Sequence, residues 1–182
     1  QVRFASKAQF LAGVALRASN LSYPTLWVDE AESSINALTI LEHGVPTDRY
    51  LGLPIYENTL TEPWPESAEY EFHDTSYSRQ GYAVYHGWLP LYTIAASLWL
   101  HGIGPDQVTD PPRVLHSDAD IHRRILAARL PSVVFGALFV LAIFLTGRAM
   151  YGADAGLAAA LAAALAPTCI WVAQPARSYP PT

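Results

Sequence analysis

Between Arg129 and Arg148 the chain runs for 18 residues without a charge, LPSVVFGALFVLAIFLTG. No other feature constrains the fold as strongly. About 17–25 such residues, coiled as a helix, span the hydrocarbon of a bilayer. A second uncharged run, AGLAAALAAALAPTCIWVAQPA, fills the 22 positions between Asp154 and Arg177. The joint between them, RAMYGAD, is short and polar enough to turn in water. Together the runs predict a transmembrane helical hairpin over 126–148 and 155–175. The competing reading is a buried helix pair in a soluble core. The second run is rich in Ala, which suits close packing against other helices more than direct lipid contact.

Composition points the same way. The chain is 51% apolar and 15% charged, against about 25% charged in ordinary soluble domains. Net charge is −5, and Lys7 is the only lysine. With no basic block, nucleic acid is excluded as a partner class. Cys169 stands alone, so no internal disulfide can form. The first residue is Gln1, and the native start is taken to lie upstream.

Two further apolar pieces flank a polar stretch. AQFLAGVAL (8–16) reads as the tail of an incomplete first spanning helix over 1–26. WLPLYTIAASLWL (88–100) is too short to span and reads as an interfacial or re-entrant helix, near 88–102. Trp88, Tyr92 and Trp99 would then lie at headgroup level. Residues 27–125 form the first loop outside the membrane. A helix near 29–43 is expected in it, from the spacing of Ala31, Ile35 and Leu38 and the Gly44 and Pro46 stop. Charge does not orient the chain. Arg113, Arg123, Arg124 and Arg129 favour a cytoplasmic loop, but the positive-inside rule weakens in loops longer than about 60 residues. The architecture expected is therefore an all-α integral membrane bundle with short juxtamembrane helices.

Chemistry is concentrated where the greasy run before Asp29 and Glu30 stops. Adjacent helical residues point about 100° apart, so both acids cannot face one substrate atom. One can act as a base while its neighbour caps the helix or positions backbone. A plain helix cap is the simpler role for Asp29.

The stretch LAGVALRASNLSYPTLWVDEAESSINALTILEHGVP (11–46) resembles the start of membrane glycosyltransferases of the GT-C fold. These include the dolichyl-phosphate-mannose protein mannosyltransferases, the lipid A aminoarabinose transferase and bacterial transferases of the RgtA/B/C/D type. The likeness lies in an Arg on the first helix (Arg17), an "lW-x-DEa" motif and a helix ending in "hG-x-p". Three later blocks follow in the family's order: GWLPLYTIAASLWLHGIG, AARLPSVVFGALFVLAIFLTGRAMYG and ALAPTCIWVAQPARSYP. Two details depart from it. Pro175 stands where the family often has Glu, and its "PPL" is reduced to Leu89-Pro90-Leu91.

The resemblance implies the N-terminal part of an enzyme that takes a sugar from a polyprenyl-phosphate carrier. The sugar passes to a lipid, glycan or protein acceptor on the extracytoplasmic face of a bacterial-type inner or plasma membrane. Asp29 would be the general base or acceptor-positioning acid, with Glu30 beside it in the catalytic pair. Arg177 and Tyr179, with His86 and Tyr92, would bind substrate, Arg177 on the carrier phosphate. No cofactor is firmly implied. A divalent metal would have only a weak candidate site, at His116, Asp118, Asp120 and His122, whose alternate spacing would put all four on one side of an extended strand. The rival class is a non-catalytic membrane transporter or channel fragment, in which Asp29 and Glu30 cap a helix or line an ion path near the bilayer midplane.

Overall fold

In a computed structural model the described residues are 11–22, 26–55, 80–83, 87–106 and 116–176. They are mostly helical. Residues 11–18 form α1. Then come α2 (Val28–His43), the two-residue strands β1 (Arg49–Tyr50) and β2 (Leu53–Pro54), α3 (Trp88–Leu100), α4 (Asp118–Tyr151), α5 (Ala153–Leu165) and α6 (Pro167–Val172). The strands make one antiparallel hairpin, and an isolated bridge joins Thr47 to Tyr82; the rest of the regular structure among the described residues is helical, consistent with an all-α chain.

Each helix begins and ends for a local reason. α2 starts one residue before Asp29. Trp27 is its extended N-cap, and Glu30 accepts the Trp27 backbone N–H at 2.9 Å. This is half of a capping box, because an indole cannot return the bond. Gly44, left-handed at φ 80°, closes the helix and donates its N–H to the Ile40 carbonyl. α3 ends in a Schellman turn: Gly102 has φ 68°, Ile103 N–H reaches the Leu98 carbonyl, and Ile103 itself is buried. α4 opens on Ser117, whose hydroxyl accepts the Asp120 N–H at 3.2 Å.

Two packing regions result. The first joins α2, α3 and the start of α4. Ala37, Leu38 and Ile40 meet Leu91, Ile94, Ala95 and Leu98, and Ala127 and Ala128 close the junction with Ala176. The second is the antiparallel pair of α4 and α5, whose buried centre is Val140, Ala160 and Ala164, with Phe144 packed on it. Glycine lets this pair approach closely. A Cβ on Gly156 would lie 2.7 Å from the Phe144 carbonyl oxygen and 2.8 Å from the Arg148 nitrogen.

The hairpin expected from the two apolar runs is present, with two differences. α4 extends through most of RAMYGAD, so the joint contracts to Gly152 alone, at φ 93°. The second arm is not one helix. α5 ends at Leu165, Ala166 turns extended (ψ 120°), and α6 restarts at Pro167. Of the described helices only α4, with 34 residues, is long and apolar enough to cross a membrane. The 13 residues of α5 rise about 20 Å, short of a bilayer core of about 30 Å.

Proline shapes both arms by removing a donor. Pro131 lies inside α4 and cannot bond the Ala127 carbonyl four residues back. The Ser97 hydroxyl from α3 donates to that carbonyl at 2.7 Å. Pro167 likewise leaves the Ala163 carbonyl without its helical partner, and Arg17 of α1 reaches it at 3.1 Å.

Candidate functional site

The two adjacent acids, Asp29 and Glu30, take different places. Asp29 is the second residue of α2 and is half-buried, at a helix N-terminus that favours negative charge. Glu30, one residue on, points into the protein and is only 3% exposed. Its Oε1 accepts Arg129 Nε at 2.9 Å and the Ala176 backbone N–H at 2.7 Å. Its Oε2 accepts Arg129 Nη2 and the Trp27 N–H, both at 2.9 Å. Arg129 Nη1 donates in turn to the Leu21 carbonyl at 2.8 Å.

Four donors on one carboxylate saturate its acceptor sites. Burial pushes the Glu30 carboxyl up, but the hydrogen bonds from Arg129, Trp27 and Ala176, with the charge of Arg129, outweigh it and hold the group below the usual carboxylate range. In this arrangement Glu30, expected beside Asp29 in the catalytic pair, has no free lone pair for a proton. Its clamp ties the start of α2 to the Leu21 turn, to α4 and to the segment after α6. Ser132 adds a second tie to that segment, donating to the Pro175 carbonyl at 2.7 Å.

The clamp brings Ala176 to the same helical turn that carries Asp29, across 146 positions of sequence from Glu30. Arg177 follows Ala176 directly in the chain. Arg177, Tyr179 and His86 themselves lie outside the described residues. Tyr92 is described and lies elsewhere. Its hydroxyl donates to the Gly44 carbonyl at 2.6 Å, at the far end of α2. Fifteen helical steps of 1.5 Å separate Gly44 from Asp29, about 22 Å. Tyr92 is thus a tether between α3 and the α2 C-cap, not part of an Asp29 site.

The alternate His and Asp positions also part company. Asp118, Asp120 and His122 are in the first turns of α4, where residues two apart are turned by about 200°. The extended strand that would have aligned them does not form there. Asp120 accepts from Ser117 at 2.8 Å and from Arg123 at 3.2 Å, and these contacts, the Ser117 bond first, draw its carboxyl below the usual range. His122 Nδ1 lies 2.9 Å from the Ser22 carbonyl. Among the described residues no group of three His, Cys, Asp or Glu side chains is arranged to hold a metal.

His116 instead joins a second polar cluster that composition did not reveal. Asp106, after α3, takes Arg124 on both oxygens at 2.7 and 3.3 Å, with His116 Nε2 at 3.4 Å. Tyr50 of β1 donates its hydroxyl to the same carboxylate at 3.0 Å and accepts the Asp106 N–H. Burial, with the Asp106 charge adding to it, pushes the Tyr50 hydroxyl up to about 12. This cluster locks the small hairpin to the base of α4.

Arg129 and Asp106 are the residues that sequence reasoning missed. Arg129 served only as the edge of an apolar run and as one of the loop-side charges, although its place beside Pro131, in a block shared with the resemblance, was a usable signal. Asp106 carried none. No family model, curated protein or solved structure matches the chain.

Proposed function

We propose that this chain is part of a GT-C-type membrane glycosyltransferase, which moves a sugar from a polyprenyl-phosphate-linked donor to an extracytoplasmic acceptor. One observation carries the reading. The Glu30 carboxylate holds Asp29's turn of α2 against Ala176, so two blocks picked out by the resemblance meet at one point. Four ordered blocks of similar sequence support the family. The long apolar α4, with only 11% of its most apolar window buried, supports a membrane setting over a soluble core.

In this reading Asp29 accepts the proton of the acceptor hydroxyl as its oxygen bonds to the anomeric carbon. The bond from that carbon to the phosphate oxygen breaks, and the polyprenyl phosphate leaves with the electron pair. Arg177, next to the Ala176 that Glu30 holds, is placed in sequence to receive the leaving phosphate. Glu30 and Arg129 position both partners and take no proton.

The test is sugar transfer from a labelled polyprenyl-phosphate sugar pool by membranes carrying the full-length gene product. Asp29→Asn, at matched expression, should lower transfer by about 10²–10⁴-fold, the usual worth of a positioned base. Undiminished transfer by that variant would remove Asp29 from the chemistry. A wild type that transfers nothing from any donor pool would favour a transporter.

A further inference from the structure

We infer that Arg17 is a positioning residue. It supplies the hydrogen-bond donors that Pro167 denies to α5, and so fixes the break from which α6 carries Ala176 to Glu30. The bearing on sugar transfer rests on the function proposed above; the structural part does not.

The geometry is specific. Arg17 is fully buried. Its Nη2 donates to the Ala163 carbonyl at 3.1 Å and its Nη1 to the Ala164 carbonyl at 3.1 Å. These carbonyls belong to the last turn of α5. In an unbroken helix Ala163 would be bonded by the N–H of residue 167, but Pro167 has none. Ala164 would be bonded by residue 168, but the extended Ala166 swings Thr168 into α6. The guanidinium thus satisfies two carbonyls that one proline and one extended residue set free. It also places a cation at the negative end of the α5 dipole.

The surroundings are cut to fit this side chain. Gly13, one turn before Arg17 on α1, lies where a Cβ would come 3.2 Å from the Ala164 Cβ. Gly136 on α4 lies where a Cβ would come 3.0 Å from Arg17 Cδ and 2.6 Å from the Ala173 Cβ. Two glycines on two helices leave room for the arginine and for the chain just past α6. Ala173 is followed three residues later by Ala176, the Glu30 partner. The same device occurs at Pro131, where Ser97 serves the freed Ala127 carbonyl. A neighbouring side chain standing in for a missing proline donor is therefore a repeated solution here.

A double-mutant cycle tests the assignment in the full-length protein in detergent. Arg17→Met keeps the apolar stem and removes the donors. It should lower Tm by roughly 5–10 °C, since three charge-assisted bonds are lost, the two at the end of α5 and one from Nη1 to the Gly13 carbonyl at 3.0 Å. Pro167→Ala returns an N–H to position 167 and lets α5 run on. The double variant should regain at least half of the lost Tm, while a spin-label pair at Thr168→Cys and Leu138→Cys, with Cys169→Ser, reports a changed distance between α6 and α4. Transfer should stay at least about tenfold down in the double variant, because the helix is satisfied but the segment is misplaced. A double variant no more stable than Arg17→Met overturns the assignment. So does an unchanged label distance in both Arg17 variants. If wild type transfers no sugar, the proposed function falls, and the stability and distance results still decide the role of Arg17.

Discussion

The two ends of α4 follow different rules. From Ile125 to Val133 the helix buries Ala127, Ala128 and Arg129 against α2, α3 and the chain after α6, and Arg129 is paired there with Glu30. Beyond Val133 only Val140 is buried. Val134, Phe135, Leu138, Phe139, Leu141 and Leu145 are exposed, and this length packs on α5 through Gly and Ala, with Arg17 of α1 and Ala173 approaching it at Gly136. The first end is held as a water-soluble domain is held, by an apolar core and the buried Glu30–Arg129 ion pair. The second is held by close backbone approach, and its large side chains point outward. Packing of small residues with outward bulk is what association needs when the solvent is itself apolar.

That contrast sets the order of expected effects. The largest belongs to Arg129→Met. It strands the Glu30 carboxylate in a site 3% exposed and should cost about 3–5 kcal/mol, read by chemical denaturation in detergent. The same clamp gives the first end a pH dependence. Glu30 has a folded value below its ordinary 4.5, so its contribution is complete above that range and fades as pH falls through the lower folded value. In Glu30→Gln this acid-side loss should vanish. If Arg129→Met proves harmless, the two ends are not built differently.

Next comes Gly156→Leu, which drives a side chain into the backbone of α4 at 2.7–2.8 Å. It should cost about 1–3 kcal/mol by separating α4 from α5. The spin-label distance between Leu138 and a site on α5 should grow while the Glu30 clamp persists. A collapse of both ends together would make them one cooperative unit. Smaller again is Tyr50→Phe, which removes one bond to Asp106 and should cost about 0.5–1.5 kcal/mol, confined to the first end. The smallest effect on packing is expected from Leu138→Asn with Phe139→Asn, within about 0.5 kcal/mol per exposed site. The same pair should release protein from membranes under alkaline wash far more readily than wild type. Unchanged retention would mean that this face does not meet lipid.

Much of the architecture was legible because it obeys local rules. The α2 start and the Gly44 stop, the short α3 and the hairpin were each written in apolar run length and in Gly or Pro punctuation. The break at Ala166–Pro167 was equally visible as a proline, but the uncharged run around it read as one span. The site was half legible. Two adjacent acids had to diverge by helix geometry, yet which one turned inward depended on Arg129, 99 residues away from Glu30. Long-range pairing of this kind leaves no local trace. Tyr92 and the His116–His122 series misled for the opposite reason: plausible chemistry in sequence was spent on helix tethers and caps.

The Glu30 clamp also has a history in time. A ribosome adds about 5–20 residues per second, so the 99 positions from Glu30 to Arg129 take about 5–20 s to make. For that interval the newborn carboxylate has no guanidinium, and the Ala176 N–H arrives later still. The first loop therefore waits in an unlatched form until the hairpin has been synthesised. Closing the latch is a late event in the birth of this region, not its seed.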